Sequence, residues 1–183
     1  IGNGLEEGIR VGPIINEAGL EKIKKYVEIG KEEGAQLLVG GKEAHPSSLE
    51  NGYYFEPTLF TNATMNMRIA QEEIFGPVIS LISVKDLDEA IEANNSVTYG
   101  LSSSIFTRDV NKVFRAQRDL DTGIVYVNAG TTGAEIHLPF GGTKGTGNGH
   151  RDSGIQALDV FTEWKAVYVD YSGKLQRAQI DIE

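Results

Sequence analysis

The sequence contains no cysteine. Disulfides and thiolate metal sites are excluded, and so is any reaction in which a thiolate of this chain attacks a substrate. Histidine is scarce: His45, His137 and His150 share no i,i+4 or similar ligand spacing, so no metal site is expected. No apolar run approaches the ~18–20 residues a membrane helix needs, and no basic-then-apolar segment opens the sequence. Basic charge is outweighed, with 17 Lys and Arg against 26 Asp and Glu and a net charge of -9. Nucleic acid is not an expected partner, because phosphate binding relies on clustered Lys and Arg. No membrane partner is expected either. With nothing pointing to secretion, the cytoplasm is the default location.

What is present is the composition of an ordinary soluble globular chain, 40% hydrophobic and 23% charged. A single domain of this size buries roughly 70% of its unfolded surface. The first residue is Ile1. A processed product, a trimmed chain and a piece of a longer polypeptide are all consistent with that start.

Leu20, Ile23 and Val27 recur at helical spacing among lysines and glutamates, predicting a surface helix over Glu17–Glu33 closed by Gly34 as a left-handed cap. A short strand through Leu37, Leu38 and Val39 follows. Lys42–Asn51 reads as an exposed loop, and Tyr53–Phe60 as a second strand that Pro57 places at an edge. From Val78 the pattern alternates. Val78–Val84 reads as a strand, Asp86–Asn95 as a helix capped by Asp86, and Leu101–Thr107 as a strand. Asp109–Leu120 reads as a helix with Val110, Val113, Phe114 and Gln117 on its face, and Ile124–Val127 as a third strand. Strand–helix–strand–helix–strand with short connections implies parallel strands in an α/β layered sheet. Ligands gather beyond the carboxyl ends of such strands, so the loop from Asn128 to Phe140 is the expected substrate contact. Trp164–Tyr171 reads as a final strand, and Ser172–Glu183 as a polar tail that includes Lys174 and Arg177.

Two glycine-rich stretches imitate nucleotide motifs. In Gly141–Gly149, Lys144 precedes its glycine and His150 stands where a dinucleotide fingerprint requires glycine, so a tight structural loop is expected. Gly2-Asn3-Gly4 with Gly8 has no preceding strand and reads as a turn. Glu72 and Glu73 are adjacent, and on extended backbone their side chains diverge. One solvated and one functional carboxylate is the expectation, not a cooperating acid–base pair.

Several separated segments point the same way. They are Val11-Gly12-Pro13-Ile14, Gly30–Ala35 with Leu37–Gly41, Phe55-Glu56-Pro57-Thr58-Leu59 and Gln71-Glu72-Glu73-Ile74-Phe75-Gly76-Pro77-Val78. Ala93-Asn94-Asn95 with Tyr99-Gly100-Leu101, Gly123–Asn128, and Pro139-Phe140-Gly141-Gly142 leading to Lys144 continue the series. In that order and spacing they resemble the C-terminal portion of the aldehyde dehydrogenase superfamily, over almost the whole chain. The resemblance implies residues 1–160 as the C-terminal part of the catalytic α/β domain and 161–183 as an oligomerisation strand and tail. It implies that Glu73 bonds the nicotinamide ribose hydroxyls, that Phe75 packs near the nicotinamide, and that Lys22 approaches the same cofactor, NAD or NADP. Asn128 would brace the active-site floor and Phe140 would line the aldehyde tunnel. In that family a cysteine thiolate attacks the aldehyde, hydride passes to NAD(P)+, and a glutamate-activated water releases the acid. Nucleophile, general base and adenine site all belong to the missing N-terminal half, so no catalytic residue maps onto this chain.

Thr132-Gly133-Ala134-Glu135, with Phe161–Lys165 and Asp170–Arg177, resembles members that oxidise carboxylate-bearing semialdehydes, 2-oxoglutarate semialdehyde (2,5-dioxopentanoate) enzymes above all. Backbone N–H groups at Thr132, Gly133 and Ala134 are the expected distal-carboxylate site, because small residues let an anion approach amides closely. A turn shaped only for packing is the alternative. The resemblance also implies a homo-oligomer in which Trp164–Tyr171 joins a neighbouring subunit's sheet. A non-catalytic remnant serving subunit association or regulatory binding is the alternative function.

Overall fold

A computed structural model describes residues 1–46 and 52–174. The chain runs α1 (Glu17–Glu32), β1 (Gln36–Val39), β2 (Thr58–Ala63), α2 (Arg68–Gln71), β3 (Val78–Ile82), α3 (Leu87–Asn95) and β4 (Tyr99–Gly100). It continues through β5 (Ser102–Ile105), α4 (Val110–Asp119), β6 (Ile124–Val127), β7 (Thr143–Lys144), a 3₁₀ turn (Ile155–Ala157) and α5 (Leu158–Phe161). Part of the loop expected over 42–51, and most of the tail expected over 172–183, lie outside the described residues.

Helix α1 starts where Asn16 accepts a hydrogen bond from the Gly19 N–H at 2.8 Å. It ends where Gly34 adopts φ 92° and the Ala35 N–H reaches back to the Gly30 carbonyl at 2.9 Å. That 6→1 bond uses a carbonyl the helix end would otherwise leave open. Leu20, Ile23 and Val27 face inward and meet Phe55, Phe60 and Ile69 in the main core. Gly30 lets the helix come close, since a Cβ there would stand 3.0 Å from the Phe60 ring. Full burial of each such aliphatic or aromatic side chain is worth about 1.5–3 kcal/mol.

Strand β2 pairs antiparallel with β1 and parallel with β3, so it is central in a three-stranded sheet. This corrects the edge strand expected over Tyr53–Phe60. Pro57 has no N–H to donate, and the ladder begins just after it at Thr58. Tyr53 and Phe55 make only isolated bridges, to Ile14 and Glu43. Strands β5 and β6 are parallel, with Ser102 opposite Ile124 through to Ile105 opposite Val127. Helix α3 is capped by Asp86, as the sequence predicts, and α4 is capped by Asp109.

Two further expectations are corrected. The alternating segments do not form one sheet: β3 pairs with β2, β5 pairs with β6, and β4 pairs with β7. A ladder requires strands about 4.8 Å apart, and β3 and β5 share no ladder among the described residues. The inward stripe of α4 is Val113, Ala116 and Leu120, while Val110, Phe114 and Gln117 are exposed. The small Ala116 is the residue packed against α3 and β5. Residues 164–171 form no ladder with the other described residues of this chain, and the strand expected there is one that pairs with a neighbouring subunit; Trp164 is 94% and Tyr168 92% exposed.

The sheet of β1, β2 and β3 is covered on one face only. Phe60 is fully buried against α1, whereas Ile79 and Leu81 on the far face of β3 are 66% and 53% exposed.

Candidate functional site

The segment Glu72–Gly76 leaves the end of α2 with extended backbone at Glu72 and lies across α1. Its side chains alternate. Glu72 and Ile74 turn inward, while Glu73 and Phe75 turn out to the exposed side. Phe75 holds φ 58°, a left-handed conformation rare for a bulky residue, and its side chain is 78% exposed. Gly76 follows with almost no clearance, since a Cβ there would stand 2.5 Å from Ile23 Cγ1. The turn is thus seated on the first half of α1.

Lys22, one helical turn before Tyr26, donates from Nζ to the Glu73 carbonyl at 2.7 Å. A cleft of about 460 Å³ opens here, lined by Pro13, Ile14, Ile15, Lys22, Ile74 and Phe75. Fifty-one residues separate Lys22 from Glu73, and the fold brings them together. The Glu73 carboxylate has no hydrogen-bond or ion-pair partner among the described residues, and it is exposed.

Glu72 is not the solvated carboxylate that the sequence suggested. Arg68 donates to it twice, Nε to Oε1 at 2.7 Å and Nη2 to Oε2 at 2.9 Å, and the Tyr26 hydroxyl donates to Oε2 at 2.5 Å. The Arg68 guanidinium, and after it the Tyr26 hydroxyl, hold the Glu72 carboxyl down at about 2 from an ordinary 4.5. The same bond raises Tyr26, because losing the phenolic proton would leave an anion against the carboxylate. Tyr26, Arg68 and Glu72 are the residues that sequence reasoning missed here. An i,i+4 Arg–Glu pair on a helix is legible; the tyrosine 46 residues away is not.

The second group lies at the carboxyl ends of β5 and β6. Asn128 sits at φ 55° and is bonded to Thr107 at both ends of its amide: Oδ1 accepts from the Thr107 N–H at 2.8 Å, and Nδ2 donates to the Thr107 carbonyl at 3.0 Å. It ties the exits of the two strands together. Beyond it, the loop through Thr132, Gly133 and Ala134 is exposed. Tyr126 donates from its hydroxyl to the Gly133 carbonyl at 2.6 Å, and Gly133 takes φ 87°. None of the N–H groups of Thr132, Gly133 and Ala134 has an acceptor among the described residues. Phe140 is half-buried and lines a cavity of about 390 Å³ with Gly141, Gly142, Thr146 and Asn148. In that glycine-rich stretch Lys144 donates to the Asn95 carbonyl at 3.2 Å, so it anchors the loop to α3. No cluster of His, Asp and Glu able to hold a metal ion occurs among the described residues. No helix among them is long and apolar enough to cross a membrane.

Comparison with known proteins bears on these two groups. A sequence profile of the Aldehyde dehydrogenase family matches residues 1–167. Alpha-ketoglutaric semialdehyde dehydrogenase of Bacillus subtilis (strain 168) is 44% identical over 169 residues, covering 92% of this chain and 35% of that protein. Alpha-ketoglutarate semialdehyde dehydrogenase of Haloferax volcanii is 43% identical over 162 residues, covering 88% of this chain and 34% of that protein. Among solved structures, an NAD-dependent aldehyde dehydrogenase from Sinorhizobium meliloti is similar with a TM-score of 0.89 at 34% identity, covering 97% of this chain and 34% of that one. The chain therefore spans about a third of the length of the proteins it matches. With the same family found by profile, by sequence identity and by fold, this chain belongs to the aldehyde dehydrogenase family.

Proposed function

We propose that this chain is the C-terminal part of an NAD(P)+-dependent dehydrogenase for a carboxylate-bearing semialdehyde, and that it supplies the grip on the nicotinamide end of the dinucleotide. The observation that carries the reading is the meeting of Lys22 and Phe75 on one cleft, with the Lys22 ammonium bonded to the backbone carbonyl of the exposed Glu73. The residues fit the group. A free, exposed carboxylate accepts from two ribose hydroxyls, an exposed aromatic ring offers a flat apolar face, and Lys22 shares the cleft with that ring and bonds the Glu73 carbonyl. Hydrogen bonds to a charged acceptor contribute about 1.5–3 kcal/mol each. NAD or NADP, when bound, supplies the hydride acceptor.

Thr132, Gly133 and Ala134 form the proposed substrate-anion contact, supported by their three unaccepted N–H groups. The names of the semialdehyde dehydrogenases at 44% and 43% identity lean the same way. Phe140 is proposed to line the aldehyde path, and Asn128 to brace the floor beneath it. Residues 1–160 are proposed as catalytic-domain sequence, and 161–183 as the arm through which a homo-oligomer assembles. Exposed Val167, Tyr168 and Val169 favour strand addition to a neighbouring sheet. The open apolar face at Ile79 and Leu81 is proposed to pack against the N-terminal portion that carries the nucleophile.

Three measurements test this. Glu73→Gln in the complete enzyme weakens NAD(P)+ binding and slows turnover; unchanged values refute the cofactor grip. A matched pair of aldehydes, with and without the distal carboxylate, gives a higher kcat/KM for the acid, and equal values refute the anion contact. The isolated 183 residues are expected to show no hydride transfer, since losing such a nucleophile removes on the order of 10⁶ in rate.

A further inference from the structure

We infer that Tyr26, Arg68 and Glu72 are positioning residues for the dinucleotide: they hold the Glu72–Gly76 turn against α1 so that the Glu73 carboxylate and the Phe75 ring stand at a fixed place beside Lys22. This rests on the reading that Glu73, Phe75 and Lys22 meet the nicotinamide ribose.

The contacts form a closed circuit. Glu72 takes a bidentate bond from Arg68 and a third from Tyr26. The guanidinium of Arg68 lies 5.8 Å from the Tyr26 ring centre, and the ammonium of Lys22 lies 5.9 Å from it. Lys22 then closes the circuit on the carbonyl of Glu73. Glu72 and Glu73 are consecutive on extended backbone, so fixing one side chain inward fixes the other outward. Bidentate Arg–carboxylate geometry restricts rotation as well as distance. Phe75 needs such support, because a bulky residue persists at positive φ only where its surroundings over-determine it.

An exposed i,i+4 ion pair adds little to overall stability. The value of this one lies in its place. Two donors from different elements, α1 and α2, converge on the residue immediately before the cofactor-facing carboxylate. Removing a donor leaves Glu73 chemically intact but free to wander.

The test uses the complete enzyme that carries this segment, with variants Tyr26→Phe, Arg68→Gln, Arg68→Lys and Glu73→Gln. Single-turnover NADH or NADPH formation is measured together with dissociation constants for NAD(P)+ and for ADP, which lacks the nicotinamide ribose, and the thermal midpoint. Misplacement by about 1 Å can cost on the order of 100-fold, so Tyr26→Phe and Arg68→Gln are expected to slow hydride transfer by about 10-fold or more. ADP affinity stays at the parent value, and the midpoint falls only by the little that an exposed ion pair or hydrogen bond contributes. Arg68→Lys recovers part of the rate, since an ammonium holds one oxygen where the guanidinium holds two. Parallel losses of midpoint, ADP affinity and rate in Tyr26→Phe and Arg68→Gln would reduce the cluster to a structural tie and overturn the inference. Unchanged hydride transfer in those two variants, alongside a loss in Glu73→Gln, also overturns it but leaves the cofactor grip standing. No effect in Glu73→Gln removes the grip itself, and the positioning role with it.

Discussion

Replacing Gly76 by alanine tests whether the Glu72–Gly76 turn is seated on α1. The new methyl would stand 2.5 Å from Ile23 Cγ1 and 2.6 Å from Cδ1. Carbon atoms in contact rest about 3.5–4.0 Å apart, so roughly 1 Å of separation has to be found. Ile23 has no exposed surface and is packed in the core with Leu20, Val27 and Phe60. It has no free direction in which to retreat. Overpacking of this kind costs about 1–3 kcal/mol. Urea unfolding of the chain, followed by far-UV circular dichroism, is expected to show a lower midpoint with an unchanged slope. Ile23→Ala removes both clashing atoms at a cost of about 2–5 kcal/mol of its own. In that background Gly76→Ala is then expected to cost less, a coupling on the order of 1 kcal/mol. Equal costs in both backgrounds, or no cost in either, would show that the turn does not rest on Ile23.

Other outcomes follow from the same contacts. Asn128→Ala loses both bonds to Thr107 and puts a residue that dislikes positive φ at 55°, so a loss of about 1–3 kcal/mol is expected by the same unfolding measurement. Gly123→Ala is expected to prevent proper folding, because its Cβ would collide with the Gly141 carbonyl oxygen; a native-like spectrum and midpoint would refute the close approach. The Glu72 carboxyl titrates lower in the folded chain, at about 2, than its ordinary 4.5. Its contribution to stability is therefore complete above about pH 4.5 and is lost as pH falls from there toward 2. Glu72→Gln is expected to flatten that limb of the stability profile, and a superimposable profile would count against the bond network. In the complete enzyme, deletion of residues 164–183 is expected to lower the light-scattering mass, and an unchanged mass would argue against the oligomerisation arm.

Local signals carried far in this chain. The helices at Glu17–Glu32, Leu87–Asn95 and Val110–Asp119 were legible because apolar side chains recur at helical spacing within each, and Asp86 marks one start, signals local to one stretch of chain. The left-handed close at Gly34 was legible for the same reason. Strand pairing was not. That Thr58–Ala63 is central, and that β3 joins β2 instead of β5, depends on partners far along the chain. The face of α4 was misread because Phe114 and Val110 outweigh Ala116 in hydrophobicity, while Ala116 is the fully buried residue of the helix. At the candidate site Glu73, Phe75 and Lys22 were visible through family likeness, but the restraint on Glu72 was not.

The sequence by itself determined the family and the positions of its three longest helices, because each is written in order or spacing along the chain. Only the tertiary structure decided which carboxylate is tied down and what holds it. Tyr26 and Arg68 come from two helices that share no local pattern, and three hydrogen bonds to one side chain arise only when packing brings those helices together.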